Sequence, residues 1–268
     1  MKVAAIQMVS GVELAPNLAR ARHWLNEAAA AGVELAVLPE YFCLMGRKDE
    51  DKLAFAETGG DLQAPIQHML STAARELKLW VVGGTLPMRT DTPARARNAS
   101  CVFAPDGSLA ARYDKMHLFR FDNGSEHYDE ARVLEPGDAP VTVQAGPLRV
   151  GLSVCYDLRF PELYREMSRP PLDLISLPAA FTYVTGRAHW ELLLRARAVE
   201  NSAFVIASAQ GGQHENGRRT WGHSMIVDPW GEVLGCLPEG EGLVTAELDL
   251  QRLAEVRQQL PALRHRRL

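Results

Sequence analysis

The chain has 268 residues, 47% hydrophobic and 23% charged, with 29 basic and 33 acidic side chains giving a formal net charge of −4. This is the composition of a folded protein with a sizeable core, not of a disordered or fibrous chain. The mildly acidic balance offers no electrostatic footprint for nucleic acid or an anionic membrane, and the longest stretch free of Asp, Glu, Lys and Arg, residues 201–214, falls short of the roughly 18 apolar residues a spanning helix needs.

Residues 2–9 read as a first strand, since the few apolar residues before Gln7 are too short for a signal-peptide core. A helix over 17–31 follows, with Leu18, Ala21, Leu25 and Ala28 at helical spacing and Gly32 as its stop, and then a strand over 34–38. Asp61 is the expected cap of a second helix with Leu62, Ile66, Met69, Leu70, Ala73 and Leu77 on one face. Residues 79–86 read as one nearly continuous apolar strand, and the alternation as a whole argues α/β layering.

Strands at 99–104 and 108–113 flank Pro105-Asp106-Gly107, a hairpin signal that returns at Asp228-Pro229-Trp230-Gly231 between 224–227 and 232–236. Two hairpins in separate halves suggest an internally symmetric, two-sheet architecture. Further strands are expected at 148–155, 172–177 and 203–209, and a helix at 187–200 with Trp190, Leu193, Leu194 and Ala198 inward and a Glu191–Arg195 pair outward. No linker or composition shift divides the chain, so a single domain over 1–268 is expected. Cys43, Cys101, Cys155 and Cys236 are widely spaced without C-x-x-C, as in a cytoplasmic protein with reduced thiols.

Three segments could carry chemistry. In Gly151-Leu152-Ser153-Val154-Cys155-Tyr156-Asp157-Leu158-Arg159-Phe160-Pro161-Glu162-Leu163, strand alternation puts small residues beside Cys155, which ends a strand and turns into a short helix with Pro161 and Glu162 in its first turn. A thiol at such an elbow projects into a cleft where backbone N–H groups can stabilise negative charge. In Leu38-Pro39-Glu40-Tyr41-Phe42, Pro39 stops a strand and leaves Glu40 at its C-terminal edge, among apolar neighbours that suit a general base. In Tyr113-Asp114-Lys115-Met116-His117-Leu118, Lys115 follows a hairpin strand and could hold an oxyanion. Taken singly, each also reads as a buried thiol, a surface carboxylate or a solvated lysine.

Together and in this order, Leu-Pro-Glu-Tyr, Tyr-Asp-Lys-Met-His-Leu and Cys-Tyr-Asp-Leu-Arg-Phe-Pro-Glu-Leu resemble the Glu-Lys-Cys signature of the nitrilase superfamily of carbon–nitrogen hydrolases, and the resemblance covers essentially the whole chain. It implies a four-layer α-β-β-α sandwich with two mixed sheets and no metal or organic cofactor. It also implies a homodimer or higher homo-oligomer, with residues 250–268 at a subunit interface. In the implied mechanism Glu40 takes the thiol proton, Cys155 attacks an amide carbonyl, and Lys115 with the backbone N–H of Tyr156 holds the oxyanion until a thioester forms and is hydrolysed. A second glutamate near the site is implied at Glu130, with Glu126 as its competitor.

Later motifs, among them Pro178-Ala179-Ala180-Phe181-Thr182, Arg195-Ala196-Arg197-Ala198-Val199-Glu200-Asn201 and Gly222-His223-Ser224-Met225-Ile226-Val227, resemble the branch of ω-amidases and deaminated glutathione amidases. Arg187 stands where those relatives usually carry proline, a departure that bears on the rim of the pocket. A small anionic amide would then be the partner, with Arg159 the candidate carboxylate ligand unless it pairs with Glu162, Arg218 and Arg219 looser ones, and His189 and Trp190 lining the pocket. Four other readings are weaker: a Cys–His protease using His117, a serine elbow in Gly151-Leu152-Ser153-Val154-Cys155, an inactive scaffold, and nucleic-acid binding by Arg264-His265-Arg266-Arg267, which read better as a solvated or dimer-contacting tail. Zinc is disfavoured because no H-E-x-x-H or close Cys/His pairing occurs.

Overall fold

Alternation along the first strand separates two cores. In the computed structural model, which describes residues 1–267, Val3 and Ala5 face one hydrophobic cluster while Ala4 and Ile6 face another. Both sides of the strand are therefore covered, which is why it reads as a continuous apolar run.

The first half comprises β1 (Lys2–Gln7), α1 (Leu14–Ala30), β2 (Leu35–Val37), α2 (Pro65–Leu77), β3 (Trp80–Val82), β4 (Leu86–Arg89), β5 (Ala96–Phe103) and β6 (Leu109–Asp114). A small hairpin of β7 (Arg120–Asp122) and β8 (His127–Asp129) leads to β9 (Val141–Ala145), β10 (Leu148–Leu152), α3 (Pro161–Met167), β11 (Leu174–Ala179), α4 (Tyr183–Asn201), β12 (Phe204–Ala209), β13 (Ser224–Val227) and β14 (Val233–Leu237). β15 (Gly242–Glu247) then returns to pair with β1, and α5 (Leu250–Gln259) follows.

Both sheets are mixed. One runs β15-β1-β2-β3-β5-β4 with β6 also on β5, and the other runs β14-β13-β12-β11-β10-β9. In each, three adjacent strands are parallel, β1-β2-β3 and β10-β11-β12, and antiparallel strands flank them. The expected hairpins fall one in each sheet, β5–β6 and β13–β14. Helices α1 and α2 cover the outer face of the first sheet through Ala21, Leu25, Ala28, Ile66, Leu70 and Ala73. Trp190, Leu194 and Ala198 of α4 join the core of the second sheet, as Val3, Ala5, Leu35, Val37 and Val102 do from the first. The layers are α-β-β-α, and each fully buried large side chain contributes roughly 1.5–3 kcal/mol. The Ser208 hydroxyl of β12 ties the sheets by donating to the carbonyls of Val37, at 2.8 Å, and Ile6.

Several expectations need correction. Residues 79–86 form two strands, because Gly83-Gly84-Thr85 breaks the run and Gly84 takes φ +53°. Asp61 does not cap α2, which begins at Pro65 in its first turn; the Asp61 carboxylate accepts from Gln63 N–H instead. The strand carrying the thiol segment stops at Leu152, so Cys155 opens a separate 3-10 turn, Cys155–Arg159, before α3 starts at Pro161. Gly151 makes no space for the thiol: a Cβ there would lie 2.5 Å from Leu172, against the α3 side. Helix α4 starts four residues before the expected position, capped by Thr182, so Arg187 sits exposed on a helix and not on a loop rim.

The segment expected at a subunit interface is anchored to its own chain by one face and leaves Leu250 and Leu260 exposed on the other. Leu253 and Val256 are buried, and Arg257 bonds Asp173, Ser202 and Leu172; Leu268 lies outside the described residues. Among the described residues no helix is long and apolar enough to cross a membrane.

Candidate active site

Glu40, Lys115, Cys155 and Ala180 each lie just past the C-terminal end of a strand, β2, β6, β10 and β11 respectively. At that edge side chains from both sheets can meet. Leu38 N–H still pairs with Val82, but Pro39 has no donor and Tyr41 turns the chain with φ +57°, its N–H donating to the Thr85 hydroxyl at 2.9 Å. A Cβ on Gly84 would lie 2.2 Å from the Pro39 carbonyl oxygen, so only glycine fits beneath this turn. The β3–β4 break that interrupts the apolar run is thus what seats Glu40. Lys115 is pinned at its backbone by Asn98 and Gly137, and Cys155 holds φ +49°, a left-handed conformation at the opening of its turn.

Glu40 and Lys115 are each 1% exposed. The Lys115 ammonium lies 2.9 Å from Glu40 Oε1 and 2.8 Å and 3.0 Å from the two oxygens of Glu130. Glu40 Oε1 also accepts from the Asn98 amide at 2.9 Å, and Oε2 accepts from Ala180 N–H at 2.9 Å. Glu130 accepts from the Tyr41 hydroxyl at 2.7 Å and from Phe119 N–H at 2.7 Å. The second-glutamate position beside Lys115 is occupied by Glu130; Glu126 stands on the β7–β8 turn, where its N–H donates to Asn123.

Burial pushes the Cys155 thiol well above the usual range, and the Glu40 charge pushes it further; Lys115 and a hydrogen bond from the Ala180 backbone pull the other way. These surroundings favour the protonated form of the thiol. Burial alone would lower Lys115, but Glu130 and Glu40 outweigh it and hold the ammonium charged. Glu130 shows the reverse balance, with burial opposed and overcome by Lys115, so its carboxyl lies below the usual range.

Cys155 opens onto a narrow cleft lined by Phe119, Tyr156, Arg159, Phe181, Thr182 and Thr185. The Arg159 guanidinium lies 5.4 Å from the Phe181 ring centroid and 5.9 Å from that of Tyr156, and its Nη1 is 3.3 Å from His189 Nδ1. Among the described residues it has no carboxylate partner, so the ion pair with Glu162 does not form. His189 is exposed on α4 and reaches the cleft only through Arg159. Trp190 does not line the pocket: it is buried behind Phe181, and its indole N–H donates to the His223 carbonyl at 2.8 Å. Arg219 pairs with Glu239 and stacks on Tyr183, while Arg218 lies over Tyr128.

Two rival nucleophile arrangements lose their geometry. The Ser153 hydroxyl is buried and donates to the Ser176 carbonyl, facing away from any elbow. His117 is bound through Nδ1 to Asp157 and stacked on Phe160, and among the described residues no histidine bonds the thiol. Sequence reasoning missed Asn98, Ala180 and Tyr41, all of which orient the glutamates. An asparagine inside an apolar strand was the one available signal; a backbone N–H carries none.

Residues 2–258 match the carbon-nitrogen hydrolase family. The chain is 41% identical to the deaminated glutathione amidase of Synechocystis sp. over 98% of its own length and 97% of that protein's. It is 36% identical to the omega-amidase NIT2 of Homo sapiens, covering 99% and 95% of the two chains. The C. elegans NitFhit protein superimposes with a TM-score of 0.92 at 34% identity, covering 99% of this chain and 65% of that one. With a buried glutamate–lysine–glutamate cluster at the mouth-side ends of the strands and a thiol among them, sequence and fold agree that this chain belongs to the carbon-nitrogen hydrolase family.

Proposed function

We propose that the chain is a cysteine-dependent amidase that converts a small ω-amide carrying carboxylates, foremost deaminated glutathione, to the acid and ammonia. The observation that carries this reading is the Lys115 ammonium clamped between Glu40 and Glu130, with a cleft-facing Cys155 close enough to feel the charges of all three. Glu40 takes the thiol proton as Sγ attacks the amide carbon. The carbonyl oxygen becomes an oxyanion that accepts from Lys115 Nζ and from Tyr156 N–H, which as the second residue of its 3-10 turn has no partner within that turn. Glu40 returns the proton to the departing nitrogen, ammonia leaves, and a thioester remains. Water then gives its proton to Glu40 and attacks the thioester; the acid departs and the thiolate recovers the proton. Glu130 fixes the lysine and takes no proton in this scheme.

The Arg159 guanidinium, without a carboxylate partner among the described residues and braced by aromatic rings at the cleft wall, is suited to gripping a substrate carboxylate bidentately. A second reading, a 2-oxoglutaramate-type ω-amidase, is favoured by the similarity to the human omega-amidase. Ammonia release from a panel of deaminated glutathione, 2-oxoglutaramate, glutamine, aliphatic amides, N-carbamoyl compounds and nitriles separates the two. The first reading expects deaminated glutathione to have the highest kcat/KM and Cys155→Ala to be silent on all; equal or better turnover of 2-oxoglutaramate selects the second.

A homodimer through the helical layer belongs to the same proposal. It is supported by the exposed apolar side chains Leu192 and Val199 of α4, with Trp230 near Val199 on the β13–β14 turn. Leu192→Asp should yield a monomer by light scattering; an unchanged mass removes this face from the interface.

A further inference from the structure

Asp157 lies two residues past the thiol, is fully buried, and takes part in no step above. Its Oδ2 accepts from Val154 N–H at 2.8 Å and from the Tyr113 hydroxyl at 2.8 Å. Its Oδ1 accepts from His117 N–H at 3.1 Å and meets His117 Nδ1 at 2.7 Å. These partners fill the places a carboxylate has for donors, which is what permits such a group in a dry interior. They come from only two segments. Val154 precedes Cys155 and Tyr156, whereas Tyr113 and His117 flank Lys115 at two residues on either side. Met116 N–H donates in turn to the Tyr113 hydroxyl at 3.2 Å.

The same two segments also meet through rings. His117 stacks on Phe160 with centroids 3.7 Å apart and planes 7° from parallel, and Phe119 meets Tyr156 edge-on at 5.2 Å. Asp157 further closes the elbow on itself, its N–H donating to the Val154 carbonyl at 3.0 Å. Its hydrogen bonds therefore span the dipeptide Cys155-Tyr156 on one side and Lys115 on the other. Lys115 and Tyr156 follow strands of different sheets, and this carboxylate hydrogen-bonds the backbone of both segments.

We infer that Asp157 is a positioning residue that sets the distance between the two oxyanion donors, the Lys115 ammonium and the Tyr156 N–H. The inference rests on the amidase reading of Glu40, Lys115 and Cys155. It assigns Asp157 no contact with substrate; it acts by holding two donors where the developing charge will be, and a displacement of about 1 Å there costs on the order of 10²-fold in rate.

Asp157→Asn keeps the shape and turns an amide NH₂ toward groups that donate. The variant is read by kcat and KM for 2-oxoglutaramate, by the rate of iodoacetamide alkylation of Cys155, and by affinity for glutaric semialdehyde. In the last, Sγ adds to the aldehyde carbon and the thiol proton passes to the former carbonyl oxygen, giving a reversible hemithioacetal that uses the oxyanion donors without a leaving group. The expectation is a kcat about 10²-fold lower and semialdehyde affinity lower by a similar factor, with KM and alkylation within about twofold of the parent. Tyr113→Phe, which removes one donor and keeps the ring, should give parallel losses of about tenfold and serves if the first variant does not fold.

Semialdehyde affinity unchanged in a variant of lowered kcat overturns the inference. So does a common loss in KM, alkylation and affinity, which is what general loosening would produce. Activity surviving in Cys155→Ala overturns the amidase reading itself, whereas a silent Cys155→Ala beside a fully active Asp157→Asn overturns only the positioning role of Asp157.

Discussion

Glu40 and Lys115 stand 75 residues apart in the chain and 2.9 Å apart in the fold, at the ends of two strands of one sheet, both almost wholly buried. A carboxylate and an ammonium this dry are costly to separate, because removing either leaves an uncompensated charge. Among the described residues the lysine forms ion pairs with two glutamates and each glutamate pairs directly with this lysine alone, Lys52 acting on Glu130 only from a distance, so the three positions are not equivalent.

Lys115→Met should be the most damaging single change in the cluster. It removes the cation that both Glu40 and Glu130 hydrogen-bond, and a stability loss of about 3–5 kcal/mol is expected. Urea unfolding measures it. A loss no larger than that of Glu130→Gln contradicts the reading of Lys115 as the shared partner.

Glu40→Gln retains the shape, but it removes the carboxylate proposed as base and turns an amide NH₂ toward one of two donors, Ala180 N–H or the ammonium. Ammonia release should fall by about 10²–10⁴-fold, the range that general-base catalysis supplies. Stability should fall by only about 1–3 kcal/mol. Turnover within tenfold of the parent would assign the proton transfer to another group.

Glu130 gives the cluster its pH dependence. Its folded carboxyl lies below the ordinary 4.5 because Lys115 outweighs burial. A group with a depressed folded value binds fewer protons folded than unfolded. Its contribution is present above about 4.5 and is lost as pH falls through the folded value. Lys115, raised above 10.5, loses its contribution only on the alkaline side and adds no slope in acid. The stability gap between the parent and Glu130→Gln should therefore shrink as pH is lowered from about 6 to about 3. A gap that stays flat across that range refutes it.

Gly84→Ala tests the support beneath the base. The new Cβ cannot lie 2.2 Å from the Pro39 oxygen, and φ +53° is unfavourable for alanine, so the turn carrying Glu40 must shift. The expected result is a loss of about 1–3 kcal/mol in stability and a kcat reduced more than KM is raised. A parent-like kcat would mean that Glu40 is seated by Asn98 and Ala180 alone.

Arg159→Ala addresses the substrate. Losing a charged hydrogen bond worth about 1.5–3 kcal/mol should raise KM for deaminated glutathione by about 10–100-fold. KM for a simple aliphatic amide should stay level. An equal effect on both would make Arg159 a packing element of the cleft wall.

The amino-acid sequence by itself determined the α/β layering and both hairpins, and it singled out Glu40, Lys115 and Cys155, of which the fold ion-pairs the first two. The signals for these are local: apolar alternation, Pro-Asp-Gly and Asp-Pro-Trp-Gly turns, and short motifs around Glu40, Lys115 and Cys155. What it placed wrongly depended on distant partners. The strand expected over 79–86 breaks because Gly84 must pass under Pro39, and Trp190 turns away from the cleft because its indole N–H finds the His223 carbonyl. Only the tertiary structure decided that Glu130, and not Glu126, meets the lysine, that Arg159 has no anion beside it among the described residues, and that Asp157 bonds both the Lys115 and the Cys155 segments. Each of these rests on a contact between segments remote in the chain, and a residue's own neighbours in sequence carry no record of which donor or charge will be packed against it.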